Sequence, residues 1–475
     1  MTPNRSLELS VRLKAVMKTD MLQCIEPVFP GDVVSEYKSD NEIQRRNRVF
    51  TRENTLLTMV ITALHEDKSL QNSVDIFSEI FDKSRDAAEK IVEDENRKIM
   101  QENSQTEIKR KVGRPRIKEI KLPLSQTKEV SSNTAAFSKA RGRIEQDLID
   151  SVFYASTDFT DMNCAKKWHG RLVFNTDGTY FQMQDTLKIP DKYRTQKNAD
   201  GTLQGYPQGL LQVLTQQGTG FLSSYRVAGR NESELAVICD MLNDIPKGSL
   251  VLADDLYNCF AFFSLVKDYD LDIIVPEKKG RKYRVVKEIA PGDQIVELIK
   301  HQRAKPLAKG QVLAEKMLLR RISYRDPDRP DETRVLMTTI FDESIERQEF
   351  IHEYSTRWDV EITIREIKTI MGINIARAKS EDMVYREMGV SLLAYNLIRK
   401  VVALSAEQAP FSPERDLFYE LYSTDTTQLV DRKGRVYSRW SPGRPPSYYS
   451  QAEKTTHTSK TGKELSEKNK SGSIY

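Results

Sequence analysis

Cysteine and histidine are scarce in this 475-residue chain. The four cysteines, Cys24, Cys164, Cys239 and Cys259, never reach a CxxC spacing, and the five histidines give no HExxH. Neither a structural zinc site nor a disulfide framework is expected, and the thiols read as ordinary reduced side chains. Phosphate cradles are missing too: no GxGxxG and no GxxxxGK[ST] occurs, which argues against a dinucleotide fold and a P-loop. Apolar runs such as Leu250 to Ala253 and Ile273 to Val275 are short, against the roughly 18 residues that cross a bilayer. The opening MTPNRSLELSVRLK lacks the apolar middle of a secretory signal. A soluble cytoplasmic protein with no membrane partner is expected. Net charge is small as well, Lys+Arg 73 against Asp+Glu 69 for +4, so any sign of a nucleic-acid partner must come from how charge is distributed.

What is present divides the chain into regions, and its length accommodates about two to four domains. Leu56, Leu57, Val60, Ile61 and Leu64 form one apolar helical face, continued by Val74, Ile76, Phe77, Ile80 and Phe81, so residues 1–150 read as a helical region. Within it, about 93–134 is charged, lacks aromatics and reads as a basic linker centred on Val112-Gly113-Arg114-Pro115-Arg116. That Gly-Arg-Pro turn resembles an AT-hook, whose Arg-Pro segment enters the narrow minor groove of A·T-rich DNA. Arg114 and Arg116 are therefore candidate DNA contacts; a solvated tether is the alternative. A second Gly-Arg-Pro stands at 443–445.

From Arg171 the periodicity changes to that of strands. Arg171 to Phe174 and Thr179 to Met183 flank Asp177-Gly178, a hairpin-type turn signal; Leu210 to Leu214, Gly220 to Val227 and the apolar Leu250 to Ala253 follow, with a helix over Glu232 to Leu242. A mixed α/β core over 151–276 and 342–430 is expected, interrupted by a β-rich insertion over 277–341 that opens with Lys278, Lys279, Arg281, Lys282, Arg284 and Lys287. Residues 431–475 are polar and read as a C-terminal tail.

The densest chemistry lies in Glu353 to Lys368. On one helix, Tyr354, Arg357, Glu361 and Lys368 would share an arc of roughly 60°, beside a core stripe of Val360, Ile364, Ile367 and Met371. Spacing alone also fits a salt-bridged solvated face. The pattern Tyr-x2-Arg-x3-Glu-x6-Lys, however, resembles the YREK signature of a large family of bacterial insertion-sequence transposases of the DDE type. The resemblance continues through Ala136 to Arg141, Asp177-Gly178-Thr179, Leu252-Ala253-Asp254 with Tyr257, Ile375 to Ser380 and Ala394 to Leu397, covering roughly residues 50 to 450.

The resemblance implies a ribonuclease H-like catalytic core and a catalytic, metal-binding triad of Asp177, Asp254 and Glu361. Such a site would hold two Mg²⁺ or Mn²⁺ ions, hard cations that take oxygen ligands and need no His or Cys. It further implies that Arg357, Lys368 and Tyr354 hold DNA phosphates, and that the chain acts as a homodimer on terminal inverted repeats and target DNA, cutting the ends and joining 3′-hydroxyls. A transposase-derived DNA-binding protein without catalysis, and a metal-dependent nuclease without strand transfer, are the alternatives. Competing carboxylates are Asp185 in place of Asp177, Asp255 beside Asp254 but on the other side of the strand, and Glu366, about 140° from Glu361 and expected to be solvated. Tyr257 is either a core aromatic or part of the site. Some family members stack an extruded base on a Trp of the β insertion, yet Trp168, Trp358 and Trp440 all lie outside 277–341.

Overall fold

The computed structural model describes residues 25, 28–38, 48–65, 67–107, 121, 129–157, 165–194, 196–197, 203–326, 331–369, 371–407, 429–430 and 436–437. Arg114, Arg116 and the second Gly-Arg-Pro lie outside them. Two compact units divide the chain, residues 1–424 and 425–475.

The first unit opens with helices α1 (Gly31–Glu36), α2 (Arg52–Leu64), α3 (Leu70–Glu107), α4 (Ala135–Arg141) and α5 (Gln146–Ser156). The Thr51 hydroxyl accepts from the Asn54 N–H at 3.1 Å and caps α2; of the expected apolar face Leu56, Val60 and Ile61 are buried and Leu57 and Leu64 half-buried against the same core, and Met59 is buried too. Helix α3 runs on through the charged stretch as far as Glu107, because polar residues at helical spacing support one another, as Lys98 and Glu95 do at 3.0 Å. The apolar faces of these helices join a core shared with the last two helices of the unit: Phe77, Phe137, Leu148 and Phe153 lie in one cluster with Val360, Met371 and Leu393.

Next come β1 (Lys167–Trp168), β2 (Arg171–Gln182), the short pair β3 (Gln196–Lys197) and β4 (Leu203–Gln204), then β5 (Gln208–Gln216), β6 (Leu222–Gly229), α6 (Glu234–Cys239), β7 (Leu250–Leu252), α7 (Phe260–Asp268) and β8 (Asp272–Pro276). Strands β9 (Arg284–Ala290), β10 (Asp293–Ile299), β11 (Lys316–Arg325) and β12 (Thr333–Thr338) precede α8 (Arg347–Ser355), α9 (Asp359–Thr369) and α10 (Glu381–Glu407). One ten-stranded mixed sheet runs in the order β6-β5-β2-β7-β8-β12-β11-β10-β9, with β1 against β2. Strands β2, β7 and β8 are parallel and every other pairing is antiparallel. Residues 277–341 thus continue the sheet itself. The fully buried ion pair Arg320–Asp293, at 2.6 Å, ties this extension down, and Arg320 also donates to the carbonyls of Asp342 and Ile345 on the way into α8.

Both faces of the central strands are covered, which is why β7 reads as an uninterrupted apolar run. Leu250 and Leu252 pack with Ile274 and Phe350, whereas Val251 packs on the other face with Ile273, Phe262 and Phe263. The expected turn at Asp177-Gly178 is not formed: both residues lie inside the twelve-residue β2, paired with Val213 and Gln212 of β5. Among the described residues no helix is long and apolar enough to cross a membrane. In the second unit the described residues form one antiparallel pair, β13 (Leu429–Val430) and β14 (Val436–Tyr437).

Candidate active site

Two aspartates are brought together by strand register. Asn175 of β2 pairs with Leu252 of the parallel neighbour β7, so Asp177 and Asp254, each two residues further on, share parity and adjacent strands. Strand β7 ends there. Asp254 has extended backbone and accepts the Leu256 N–H at 2.8 Å, starting the 3-10 turn Asp255–Tyr257. Beyond Asn175 this side of β2 stays open until Gln182 meets the segment around Ile375. Asp177 lies on that open stretch and accepts the Gly178 N–H at 2.9 Å.

Burial pushes both carboxyls above the usual aspartate range. Backbone N–H donors and the Arg357 guanidinium pull the other way, while Asp254 and Glu361 add repulsion at Asp177 and Asp255 does so at Asp254. Lys278, from the start of the extension, donates to the Leu256 carbonyl at 3.2 Å and lends positive charge to Asp254.

The signature segment closes the notch, although not as one helix. A capping box between Glu346 and Glu349 starts α8, a 3-10 turn over Thr356–Trp358 follows, and α9 begins at Asp359. The turn is held by Gln217, which donates to the Thr356 hydroxyl. Tyr354 donates to the Ala253 carbonyl at 3.3 Å, beside Asp254. Lys368 donates to the Thr179 hydroxyl at 3.0 Å and the Tyr180 carbonyl at 3.1 Å, on β2 just past Asp177. Arg357 is buried, lies over the Trp358 ring at 4.6 Å and bonds Glu361 at 3.0 Å, while its buried Nε has no hydrogen-bond partner. Tyr354 and Lys368 thus touch the chain beside Asp254 and Asp177, while Arg357 and Glu361 pair with each other and act electrostatically on Asp177.

Glu361 enters the electrostatic surroundings of Asp177, as does Asp254. Its carboxylate is engaged with Arg357, and among the described residues no three of His, Cys, Asp and Glu close on one metal position. The donor set is carboxylate oxygen throughout, which fits Mg²⁺ or Mn²⁺ rather than zinc.

The competing residues separate. Asp185 pairs with Arg194, away from this notch, and Asp255 is exposed at the head of its turn. Glu366, expected in solvent, is 1% exposed and bonds Arg399 of α10 at 2.5 Å, because α10 covers that side of α9. Tyr257 is fully buried and accepts from Gln212 at 2.9 Å; its phenol is pushed up by burial and by the charges of Glu234, Asp254 and Asp177.

Glu234 has no signal in the sequence beyond being a Glu in a helical stretch. It opens α6, and its carboxyl is raised by burial and by the charges of Asp177 and Asp254. Only the long-range fold reveals it.

Residues 168–397 match the family model described as transposase DDE domain. The transposase InsG for insertion sequence element IS4 of Escherichia coli (strain K12) is 23% identical over 320 residues, which cover 66% of this chain and 70% of InsG. InsZ of the same organism is 26% identical over 142 residues, 29% of this chain and 48% of InsZ. Among solved structures, a piggyBac transposase synaptic complex with hairpin DNA aligns at 12% identity with a TM-score of 0.41, over 86% of this chain and 80% of that one. The region matched by the transposase DDE domain model is the one that carries the two aspartates, the notch and the segment from Tyr354 to Lys368, and in it the chain is similar to DDE-type transposases of bacterial insertion sequences.

Proposed function

We propose that this chain is a transposase that binds the terminal inverted repeats of its element, hydrolyses the phosphodiester at each end and joins the freed 3′-hydroxyl to target DNA by transesterification. The observation that supports the proposal is that Asp177 and Asp254 stand on adjacent parallel strands with Glu361 in the electrostatic surroundings of Asp177, beside Arg357 and Lys368. The strand order β6-β5-β2-β7-β8, with β2, β7 and β8 parallel, supports a ribonuclease H-like core for this site.

Asp177, Asp254 and Glu361 would hold Mg²⁺ or Mn²⁺, which when bound activates the attacking oxygen and stabilises the leaving one. The raised carboxyls of Asp177 and Asp254 favour a counter-charge, and Glu361 would turn to it from Arg357. The released Arg357 keeps a buried N–H in need of an acceptor, which a phosphate oxygen satisfies. Lys368 turns from the Thr179 hydroxyl and the Tyr180 carbonyl to the phosphate as a compact cation. Tyr354, at the end of β7, offers its hydroxyl to the terminal phosphate. The helices of residues 1–150, with Arg114 and Arg116 in the linker, bind the end repeats. A homodimer working in the bacterial cytoplasm brings two ends together.

Incubating the full chain with a labelled terminal-repeat fragment, target plasmid and Mg²⁺ tests this reading. A joined product is expected from the wild type, and none from Glu361→Gln, which still binds the fragment. Mg²⁺-dependent cleavage retained by Glu361→Gln overturns the site. A nick without joining points to a nuclease, and binding without a nick to a protein that no longer cuts.

A further inference from the structure

Glu234 stands outside the signature and outside the two aspartates, yet the fold builds a seat for it. Helix α6 packs on the sheet face lined by Phe174 and Val251, and its first residue reaches the bare backbone of Gly178, next to Asp177. A Cβ at Gly178 would stand 2.7 Å from Glu234 Cδ, 2.9 Å from Glu234 Oε2 and 2.8 Å from Gln212 Oε1. Atoms do not approach that closely, so a side chain at 178 and these two oxygens in their places exclude one another. Gly178 is absent from the positive-φ glycines, so close approach, not backbone freedom, is what requires it.

Gln212 makes this more than a gathering of acids. It is 0% exposed, and its Nε2 donates to the Thr176 hydroxyl and the Tyr257 hydroxyl at 2.9 Å each. Thr176 gives its own proton to the Val213 carbonyl at 3.0 Å, so the Gln212 atom facing it must be the donor and the amide orientation is fixed. The Gln212 oxygen is therefore the atom turned toward Gly178 and Glu234, buried and without a hydrogen-bond partner. A buried acceptor left unsatisfied is destabilising, and an ionised carboxylate beside it has no proton to offer. A cation, or water carried on one, satisfies both oxygens together.

We propose that Glu234 is a fourth carboxylate of the cation site, holding a divalent ion together with Asp177. Gln212 Oε1 is the neutral oxygen that accepts from that ion's water, and Gly178 lets both reach it. This rests on the reading of Asp177 and Asp254 as cation ligands. Four carboxylates match the charge of two divalent ions, leaving Arg357, Lys368 and Lys278 to face phosphate.

The test is Mn²⁺ binding to the DNA-free full chain by isothermal titration calorimetry, with thermal melting of the metal-free protein alongside. Glu234→Gln is expected to weaken Mn²⁺ binding about 10–100-fold without lowering the melting temperature. Gly178→Ala should shift affinity in the same direction, because its Cβ pushes aside only the flexible end of Glu234 and the Gln212 amide. The double variant should bind no more weakly than Glu234→Gln, since both changes remove one seat. Wild-type affinity in Glu234→Gln, with binding lost in Asp254→Asn, overturns the assignment of Glu234 alone. A wild type that binds no Mn²⁺, or an Asp254→Asn variant that binds as well as the wild type, overturns the cation-site reading beneath it. If Glu234→Gln fails to fold, unchanged affinity in folded Gly178→Ala overturns the proposal.

Discussion

Removing Arg399 should destabilise the protein far more than removing Arg399 and Glu366 together. The two side chains are almost completely buried, with Arg399 Nη2 at 2.5 Å from Glu366 Oε2. Tyr395 donates to the same carboxylate at 3.0 Å and accepts from Arg399 Nε at 2.8 Å. At 2.5 Å an effective dielectric of about 20 gives an attraction of about 7 kcal/mol. Desolvation costs several kcal/mol for each ion, so the intact pair is close to neutral in net free energy. Losing one partner removes the attraction but leaves the other ion desolvated, which costs about 3–5 kcal/mol. Arg399→Met and Glu366→Gln should each fall in that range by urea denaturation followed by circular dichroism. The apolar double variant Glu366→Leu with Arg399→Met should recover most of the loss. Either single variant costing less than about 1 kcal/mol, or a double variant costing the sum of the singles, refutes the reasoning. Because the pair clamps α9, which carries Glu361, the single variants should also lose strand joining.

Lys68 offers a pH test. It sits in the turn between α2 and α3 and donates to the carbonyls of Ala63 and Met371, linking the N-terminal helices to the segment after α9. Burial pulls its ammonium down from 10.5 to about 8, against the pull of Glu387. Between those values the unfolded chain holds a proton that the folded one lacks, so stability rises with pH across the window, by up to about 1.4 kcal/mol per pH unit. Urea midpoints from pH 8 to 10 should show that rise in the wild type, and Lys68→Met should flatten it; an equal slope in both would sink the account. Binding to a terminal-repeat duplex, measured by fluorescence anisotropy across a salt series, should lose about one unit of log–log slope in Lys368→Ala and about two in Arg114→Ala with Arg116→Ala. Unchanged slopes return Lys368 to a structural tie and the linker to a solvated tether.

The helical faces and the apolar strands were legible because their periodicity is local: Leu56 to Leu64 and Leu250 to Ala253 lie where their patterns predict. Asp-Gly between two β-favouring runs is a strong hairpin signal, and here unbroken pairing of β2 with β5 from Phe174 to Gln182 overrides it. Glu366 misled for a related reason. A helical wheel gives its angle from Glu361, yet only the position of α10 decides whether that side meets water. Helical spacing predicts one helix from Tyr354 to Lys368, and the turn at Thr356–Trp358 that breaks it is held by Gln217 from another part of the chain. Glu234 and Gln212 carry no motif at all, and their significance exists only once α6 and β5 stand on either side of Gly178.

The four strands added beyond β8 also decide where the sheet stops. Without them, β8 would leave a row of unpaired backbone groups at the margin of an apolar core, an invitation to other chains. With them, the margin becomes β9, almost wholly exposed, bearing Arg284 and Lys287 and broken by two register shifts against β10. Cations and bulges on an outer strand discourage a second copy from adding to it. The same basic residues that suggest attraction to DNA thus also discourage copies of the protein from adding to one another edge to edge, so neutralising them should show first as aggregation.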